Sequence, residues 1–383
     1  MASSLKSKLN RLKSEAAPRE APPVPDIMTY EARFPAEEGL FRLTESGLHR
    51  LGCDFPFDPA RTLFLDTETT GLSGGAGTVA FLVGLGRTEG REFVVRQYLM
   101  PTYASEFMLL EAVGRTAEGC DTVVTFNGKS FDVPLIASRC IMNRMDNPIG
   151  RMNHLDLIHP ARRAWKLRLK DCSLSSLEEK ILGLRREHDL PGSEAPERYF
   201  SFLKTKDMRL LTDVIDHNRQ DIVSLMSLLV RLHAVYAAPA EQMSMLDVFS
   251  VGRVLEKQGE RQEAGKCYRL AARPLPMTDT ARLAEARNAS HANRNLSLLL
   301  RREGDRSGAE KVWREMIRRG QMEIFPYVEL SKTLEHRDKN YEEALFLTRR
   351  ALALTEDERE INQLKAREAR LMRKMESNQI REE

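Results

Sequence analysis

The stretch TLFLDTETTG, residues 62–71, decides how the N-terminal half of the chain folds. Its apolar first half predicts a buried strand. Asp66 and Glu68 are two residues apart, so both side chains project from one face of the sheet. Two carboxylates ~6–7 Å apart along a buried strand repel each other, and we expect a cation between them. Asp and Glu are hard oxygen ligands of the kind that Mg²⁺ and Mn²⁺ take, although two acids in a surface turn are the alternative.

The segments that follow predict a mixed sheet. The runs TVAFLVGLG (78–86) and REFVVRQYL (91–99) have strand character, and the glycines of GRTEG between them suit a hairpin. We therefore predict three consecutive antiparallel strands. Beyond them, helical runs alternate with a short strand at 122–125 and the apolar segment HLDLI (154–158). That alternation is typical of parallel strands with flanking helices, which adds two parallel strands to the sheet.

A further acid follows the strand at 122–125. In VVTFNGKSFDVPLI (123–136) the β-rich part ends at Phe126 and a helix begins near Ser130, which places Asp132 in the first helical turn. We expect this strand to lie beside the first one. The acids would then meet where the strand order turns, which is the usual ligand position in open α/β sheets.

The third element is HNRQD (217–221) on a long amphipathic helix. His217 and Asp221 are four residues apart and share a face. A histidine beside an acid on a helix is often purely structural. Asp213 and Asp216 lie close by and compete with Asp221 for a role. Asp213 falls on the same face as His217, and spacing alone does not exclude it.

Composition excludes several classes of protein. The chain has 383 residues with 59 Lys and Arg against 56 Asp and Glu, so its net charge of +3 gives no general argument for nucleic acid. Residues 150–170 are a local exception, with six basic residues against Asp156 alone, and an exposed helix face is the alternative reading of that cluster. No segment has the ~20 apolar residues of a membrane helix, and the N-terminus lacks the apolar core of a signal peptide. We expect a cytoplasmic protein with no membrane partner.

The C-terminal third predicts an all-α helical-repeat domain. Three similar blocks begin at Gly259, Gly304 and Lys339, and each carries an alanine five residues on, at Ala264, Ala309 and Ala344. This pattern is similar to tetratricopeptide helix pairs, with other helical hairpins as the alternative. We predict a basic, proline-rich tail at 1–27, a catalytic domain at 28–237, repeats at 241–356 and a charged C-terminal helix at 357–383.

The three acidic elements resemble, in order and local pattern, the motifs of the DEDD exonuclease superfamily of ribonuclease H-like nucleases. Asp66–Thr67–Glu68 is similar to the first motif, Asn127 with Phe131–Asp132 to the second, and Asp221 with its upstream partner to the third. LFLDTETTGLSGGAGTVAFLVGLG, FNGKSFDVPLI, HLDLIHPARRAW and HNRQDIVSL are similar to the bacterial YprB-type ribonuclease H-like family. This resemblance covers residues from about 5 to 235, and the repeat region fits the longer members.

The resemblance implies an α/β ribonuclease H-like domain that hydrolyses phosphodiester bonds of single-stranded nucleic-acid ends, from the 3′ end, by a two-metal mechanism. It implies that two Mg²⁺ or Mn²⁺ ions are held by Asp66, Glu68, Asp132 and Asp221. His217 would be the general base or would orient water. The implied substrate contacts are Thr67, Asn127, Phe131, Arg162 and Arg163, with Phe131 or Tyr103 stacking on a terminal base.

One departure from the superfamily pattern supports a second hypothesis. Its subclasses carry either Tyr with three residues before the last Asp or His with four, whereas His217 precedes Asp221 with three. The second hypothesis is a catalytically weak or inactive nuclease-like protein that binds nucleic acid and acts as a scaffold, with the helical repeats contacting a protein partner. The residues do not separate DNA from RNA or establish the direction of cleavage.

Overall fold

A computed structural model describes residues 26–71, 77–186, 191–241, 244–273, 282–320 and 324–382. The predicted N-terminal tail lies outside these residues apart from Asp26 and Ile27. Within the described part of the chain, no helix is both long and apolar enough to cross a membrane. The cytoplasmic location stays a prediction.

A six-stranded mixed sheet forms the centre of the N-terminal half, in the order β1-β4-β3-β2-β5-β6. The strands are β1 (Met28–Pro35), β2 (Thr62–Thr69), β3 (Ala80–Glu89), β4 (Glu92–Leu99), β5 (Thr122–Thr125) and β6 (Asn153–Asp156). Strands β2, β3 and β4 pair antiparallel, and β5 and β6 add to β2 in parallel, which confirms the predicted arrangement.

The sheet has a fourth antiparallel strand, β1, that we did not predict. It pairs with β4 from Met28↔Leu99 to Pro35↔Glu92. Its sequence, MTYEARFP, alternates half-buried and exposed side chains and ends in a proline, as suits the edge of a sheet. Charged side chains on the two strands pair with each other: Glu31 of β1 accepts a hydrogen bond from Arg96 of β4 at 2.9 Å. An edge strand of this kind lacks the apolar run that marks β2 and β3.

Fourteen α-helices complete the described part of the chain. They are α1 (Glu45–Leu51), α2 (Glu106–Ala117), α3 (Asp132–Met142), α4 (Ile158–Trp165), α5 (Leu174–Leu177), α6 (Ala195–Thr205), α7 (Thr212–Ala237), α8 (Met245–Lys257), α9 (Arg261–Ala271), α10 (Arg282–Arg302), α11 (Arg306–Arg318), α12 (Phe325–Thr333), α13 (Tyr341–Leu352) and α14 (Glu358–Glu382). A π-helical turn, Glu178–Leu182, continues α5 and ends at Gly183 in the left-handed conformation.

Two compact units divide the chain. The first contains the sheet and comprises the described residues up to Glu45, Gly52–Ile158 and Ser173–Arg231. Its core is a continuous cluster of apolar side chains from the sheet, α2, α3, α6 and the start of α7. The second unit contains the helical region and also takes Ser46–Leu51 and His159–Cys172, which fall inside the predicted domain 28–237. The predicted domain boundaries themselves stay predictions.

Helix pairs build the second unit, and the three predicted blocks mark the turn within each pair. Gly259, Gly304 and Lys339 all have positive φ, and each immediately precedes the residue before a helix, α9, α11 or α13. The alanines five residues on, Ala264, Ala309 and Ala344, are fully buried, as expected of small side chains between paired helices. The helical repeats are therefore present, and their tetratricopeptide identity stays a prediction.

The C-terminal helix α14 is anchored by an ion cluster. Glu335 is fully buried, and Arg367, Arg370 and Lys374 of α14 each donate to it at 2.8 Å. Burial alone would raise the pKa of Glu335, but the hydrogen bonds from Arg370 and Lys374 lower it to about 2. Leu364 and Leu371 of the same helix are buried in the apolar core of this unit. The predicted charged helix thus packs one apolar face against the core of this unit, and three of its cationic side chains bind Glu335.

Candidate active site

The first unit brings together all four predicted acidic ligands. Asp66 and Glu68 lie at the carboxyl-terminal end of β2, which pairs in parallel with β5. Asp132 lies in the first turn of α3, directly after β5, and Asp221 lies on α7. Glu68, Asp132 and Asp221 are buried, and Asp66 is half-buried. The topology places these residues at the edge predicted from the sequence, where the strand order turns.

Mutual repulsion and burial dominate the electrostatics of this cluster. Burial, followed by the charges of Asp221, Asp132 and Glu68, raises the pKa of Asp66 well above its ordinary value. Burial and the charges of Asp221 and Asp132 raise the pKa of Glu68 to about 8. Burial also raises the pKa of Asp132, to about 6, and that of Asp221. The ionised forms of these carboxyl groups are therefore unfavourable, and a cation bound beside them would stabilise those forms.

Neighbouring polar side chains fix the orientation of two of these acids. Asn218, which is fully buried on α7, donates to Asp66 Oδ2 at 2.8 Å. Gln97 of β4 holds Asn218 in turn, with Nε2 donating to its Oδ1 at 2.8 Å. A Cβ atom at Gly84 would come within 2.3 Å of Asn218 Oδ1, so only glycine leaves room there. Thr67 donates to Asp132 Oδ1 at 2.5 Å, which means that this predicted substrate contact also positions an acid.

Arg186 was not predicted, and it supplies a positive charge to the cluster. Its Nε and Nη2 donate to the buried Glu178 at 2.6 and 2.8 Å, and Nη2 also donates to Asp221 Oδ1. Ser224 of α7 donates to the same Glu178 at 2.5 Å. The only sequence signal for this arrangement is an arginine soon after the helix-ending Gly183, and arginines are common at helix ends.

Arg186 also determines how His217 presents its ring. Arg186 Nη1 lies 2.6 Å from His217 Nδ1, and a guanidinium can only donate, so Nδ1 accepts. The proton of the neutral ring is then on Nε2, which lies 3.5 Å from Asp221 Oδ2 and 3.9 Å from Glu68 Oε1. In this arrangement Nε2 can donate a hydrogen bond and is not free to accept a proton. Of the two roles predicted for His217, this arrangement therefore favours orienting a water molecule over deprotonating it.

The structure separates Asp221 from its competitor Asp213. Asp213 is about half exposed and pairs with Arg198 at 2.7 Å. It lines a cavity of about 480 Å³ together with His217 and Arg186. The buried carboxylate beside His217 is that of Asp221.

The loop after β5 is held by a residue that we missed, Asp156 at the end of β6. Its carboxylate accepts from the backbone N–H groups of Asn127 at 2.7 Å and Lys129 at 3.0 Å. Asn127 has a positive φ of 67°, and a Cβ atom on the following Gly128 would lie 2.6 Å from the Thr125 side chain. The turn therefore favours asparagine at position 127 and requires glycine at position 128. Asn127 is exposed, and Phe131 is half-buried at the start of α3. The signal for Asp156 was an acid at the end of a predicted parallel strand.

Other predicted substrate contacts have different surroundings. The Tyr103 side chain is 51% exposed and contacts the ring of Tyr199 edge-on, at 6.3 Å between centroids. Arg162 and Arg163 are exposed on α4 and belong to the second unit, where Arg163 donates to the Leu51 carbonyl at 2.6 Å. Their binding to a phosphate backbone stays a prediction.

The carboxylates of the acidic cluster are of the kind that binds divalent cations, but they are not arranged around one point as metal ligands are. Asp66, Glu68, Asp132 and Asp221 offer hard oxygen ligands, and burial, which is the largest cause in each case, raises their pKa values. Among the described residues, no three His, Cys, Asp or Glu side chains are arranged as a metal site. The hydrogen bonds from Thr67 and Asn218 and the ion pair with Arg186 hold the acids instead.

Comparisons with known proteins give a family and one extensive relative. Residues 63–233 match the family RNase_H_2, described as the RNase_H superfamily. The uncharacterized protein YprB of Bacillus subtilis (strain 168) is 33% identical over 352 residues, which cover 89% of this chain and 81% of that protein. The family B DNA polymerase from the hyperthermophilic archaeon Pyrobaculum calidifontis matches 54% of this chain and 30% of its own, with 17% identity and a TM-score of 0.37.

Proposed function

The chain belongs to the YprB-type family of the ribonuclease H superfamily, and from that premise we propose that it is a divalent-metal-dependent 3′-5′ exonuclease. Its predicted ribonuclease H-like fold is confirmed, and proteins of this superfamily are generally hydrolytic nucleases that use divalent metals. The proposed substrate is a single-stranded end of DNA or RNA. The observation that carries the proposal is that four carboxylates from β2, α3 and α7, three of them buried, come together at the carboxyl-terminal ends of β2 and β5.

Asp66, Glu68, Asp132 and Asp221 would hold two Mg²⁺ or Mn²⁺ ions, which when bound supply positive charge for the attacking and leaving oxygens. Thr67 and Asn218 keep the oxygens of Asp132 and Asp66 in fixed directions. His217 presents Nε2–H toward Glu68 and Asp221, so it would orient the attacking water. Cations would neutralise the acids in place of protons.

Contacts to the substrate would come from the loop after β5 and from an exposed ring. Asn127 is exposed in a turn whose backbone Asp156 fixes. Phe131 at the start of α3 and the half-exposed Tyr103 are available to stack on a terminal base. Stacking and backbone contacts without base-edge recognition suit a nuclease with little sequence preference.

One observation favours the second candidate, a binding protein with weak or no catalysis. The Arg186 guanidinium already compensates the charge of Asp221, and it donates a hydrogen bond to Nδ1 of His217. A cluster that keeps its charge balance with an arginine has less need of cations. The helical repeats would then contribute a surface for a protein partner.

Hydrolysis of single-stranded DNA and RNA decamers labelled at the 5′ end tests the proposal. With Mg²⁺ or Mn²⁺ we expect a ladder of labelled products that shortens with time, whereas cleavage from the 5′ end would release the label first. Asp221→Asn should abolish the ladder. Asp216→Asn is the matched control, because Asp216 lies on the same helix and pairs at the surface with Arg219.

The outcomes separate the two candidates. Equal hydrolysis by the wild type and Asp221→Asn, or hydrolysis that persists in EDTA, would remove the proposed mechanism. Binding of the decamers without any hydrolysis by the wild type would favour the binding protein.

A further inference from the structure

Three large aromatic side chains are exposed on neighbouring elements of the first unit. Tyr103 and Phe107 are four residues apart in a helical segment that begins with the 3₁₀ turn Tyr103–Ser105 and continues as α2, so they share a face. Each is about half exposed, and Phe200 of α6 is 41% exposed. The rings of Tyr103 and Phe200 both contact the ring of Tyr199, at 6.3 and 6.4 Å between centroids. We call Tyr103, Phe107 and Phe200 the aromatic patch.

The aromatic patch lies at the end of the sheet that carries the acidic cluster. Glu68 of β2 pairs with Leu82 of β3, and Leu82 pairs with Leu99 of β4. Leu99 is therefore two strands, or about 10 Å, from Glu68. Met100 follows Leu99, and its carbonyl accepts a hydrogen bond from the Tyr199 hydroxyl at 2.9 Å. The ring that the patch contacts is thus attached to the same end of the sheet as Glu68.

The core beneath the aromatic patch is filled by other side chains. The ring of Phe81 in β3 stacks on the ring of Tyr199, with 4.1 Å between centroids and 7° between planes. Both of these residues are fully buried. Because Phe81 and Tyr199 fill the core at this position, the exposed surfaces of Tyr103 and Phe200 are available to a ligand.

The charges beside the aromatic patch leave a small positive excess. Lys204 and Lys206, at the end of α6, are exposed and make no ion pair with a described residue. Glu106 of α2 is compensated by Arg139, whereas Glu197 of α6 is exposed and makes no ion pair with a described residue. Such an excess suits an anion that binds mainly through stacking of its rings rather than through many phosphate contacts.

Exposed rings and cations together favour single-stranded nucleic acid as the ligand. Every base has a flat face that can stack on an aromatic side chain, and this stacking tolerates any sequence. Interfaces between proteins also use aromatic side chains, but they are depleted in lysine. Lys204 and Lys206 beside three exposed rings therefore favour a nucleic acid over a protein partner.

We propose that the aromatic patch is a stacking site for a single strand of nucleic acid, which binds there while its end reaches the acidic cluster. Tyr103 stacks on a base at that end, and Phe107 and Phe200 stack on bases farther from it. Lys204 and Lys206 contact phosphates of the same strand. The inference rests on the proposed function for its substrate class, and it adds that the strand is held by several bases beyond the terminal one.

Binding of fluorescein-labelled decathymidylate to the full-length protein in EDTA tests the proposal. Fluorescence anisotropy gives the dissociation constant, and gel electrophoresis checks that the strand stays intact. The second probe is a decamer with the same sugar–phosphate backbone and no bases. We expect the wild type to bind decathymidylate about tenfold more tightly than the abasic decamer, because only the first probe can stack.

Variants of Phe200 assign that difference to the aromatic patch. Phe200→Ala should weaken binding of decathymidylate roughly tenfold and leave binding of the abasic decamer unchanged. Phe200→Trp should restore the wild-type affinity, because a larger ring still stacks. Tyr103→Ala repeats the test at an independent position of the patch, and a variant that fails to fold is recognised because it loses both probes.

Phe41→Ala is the matched control. Phe41 belongs to the same unit and is 43% exposed, which is close to the exposure of Phe200. It follows β1 at the opposite end of the sheet, where Pro35 pairs with Glu92 at the start of β4. The Phe41→Ala variant should bind both probes as the wild type does.

Two results would overturn the proposal. The first is equal affinity of the wild type for the two probes. The second is wild-type affinity for decathymidylate in both Phe200→Ala and Tyr103→Ala, which would leave the aromatic patch to a protein partner. Failure of the nuclease function has a different signature: base-dependent binding at the patch would persist, and the wild type would not hydrolyse the strand with Mg²⁺ or Mn²⁺.

Discussion

Two sites in this chain, the candidate active site and the surroundings of Glu335 in the helical unit, have opposite ratios of carboxylates to cationic side chains. In the candidate active site, four predicted ligand carboxylates lie together, and among the described residues the guanidinium of Arg186 pairs with one of them, Asp221, and also with Glu178. In the helical unit a single carboxylate, Glu335, receives three cationic side chains. Burial raises the pKa values in the first group, whereas hydrogen bonds from Arg370 and Lys374 overcome burial and lower the pKa of Glu335 to about 2.

The difference teaches that burial of an acid does not by itself indicate its role. An excess of carboxylates leaves negative charge for cations to compensate, which suits catalysis. An excess of cations fully compensates the charge of the acid, which suits an acid that holds α14 in place. The ratio of charges around the acid separates the two cases.

The largest expected effect comes from Asp66→Asn. It removes one of the four carboxylates, so we expect hydrolysis to fall by ~10³-fold or more, on the scale of losing one electrostatic stabiliser. Because it also removes repulsion, the variant should melt at a higher temperature than the wild type in EDTA. Calorimetry and the decamer assay measure the two effects. A variant that loses activity and also melts at a lower temperature would contradict the account of an undercompensated cluster.

Glu335→Gln tests the second site, where cationic side chains outnumber carboxylates. It leaves three cations around a neutral amide, and we expect the free energy of unfolding to fall by about 3 kcal/mol. Urea denaturation measures this loss. Glu343→Gln is the control, because its partner Arg314 is exposed, and it should cost less than about 0.5 kcal/mol. Similar losses in both variants would show that Glu335 is not the anchor of α14.

Arg186→Gln should have an intermediate effect on stability. It leaves Glu178 and Asp221 without their guanidinium, and we expect a loss of about 2 kcal/mol at pH 8. The loss should shrink as pH falls, because the pKa of Asp221 is raised and its protonated carboxyl group needs the guanidinium less. Arg185→Gln, next in sequence and exposed, should change stability by less than ~0.5 kcal/mol. A loss that does not depend on pH would mean that Arg186 acts through packing alone.

The smallest expected effect is the pH dependence of the wild type in EDTA. The pKa of Glu68 is raised to about 8 and that of Asp132 to about 6. An acid with a raised folded-state pKa stabilises the fold at low pH, and that contribution is lost as pH rises through the folded-state pKa. The unfolding free energy should therefore fall between pH 5 and pH 8, by roughly 1 kcal/mol for each pH unit over which one of these groups titrates. Glu335 has the opposite sign, and its contribution is lost only as pH falls from about 4.5 toward 2.

A rise in stability between pH 5 and pH 8 would contradict the raised pKa values of the cluster. Repeating the series with Asp66→Asn, which should flatten the curve, connects that fall to the cluster.

The sequence contained most of what positions the acids. A buried strand followed by two alternating acids, a strand followed by Asp132, and a helix with Asp221 are local patterns, and each depends on the residues within about ten positions. Parallel pairing of β2 and β5 followed from the alternation of strands and helices. The edge strand β1 was missed because its alternating polar residues do not form an apolar run.

Only the tertiary structure decided which polar side chains surround those acids. Arg186 contacts Asp221 across 35 positions, and Asn218 contacts Asp66 across 152. Asp156, on the strand beside β5, holds the loop of Asn127. Periodicity reports which face of an element is buried, whereas a hydrogen bond between distant segments depends on packing that brings two side chains within about 3 Å. The acids could therefore be predicted from their own strands and helices, but their partners, and with them the charge ratio of each cluster, could not.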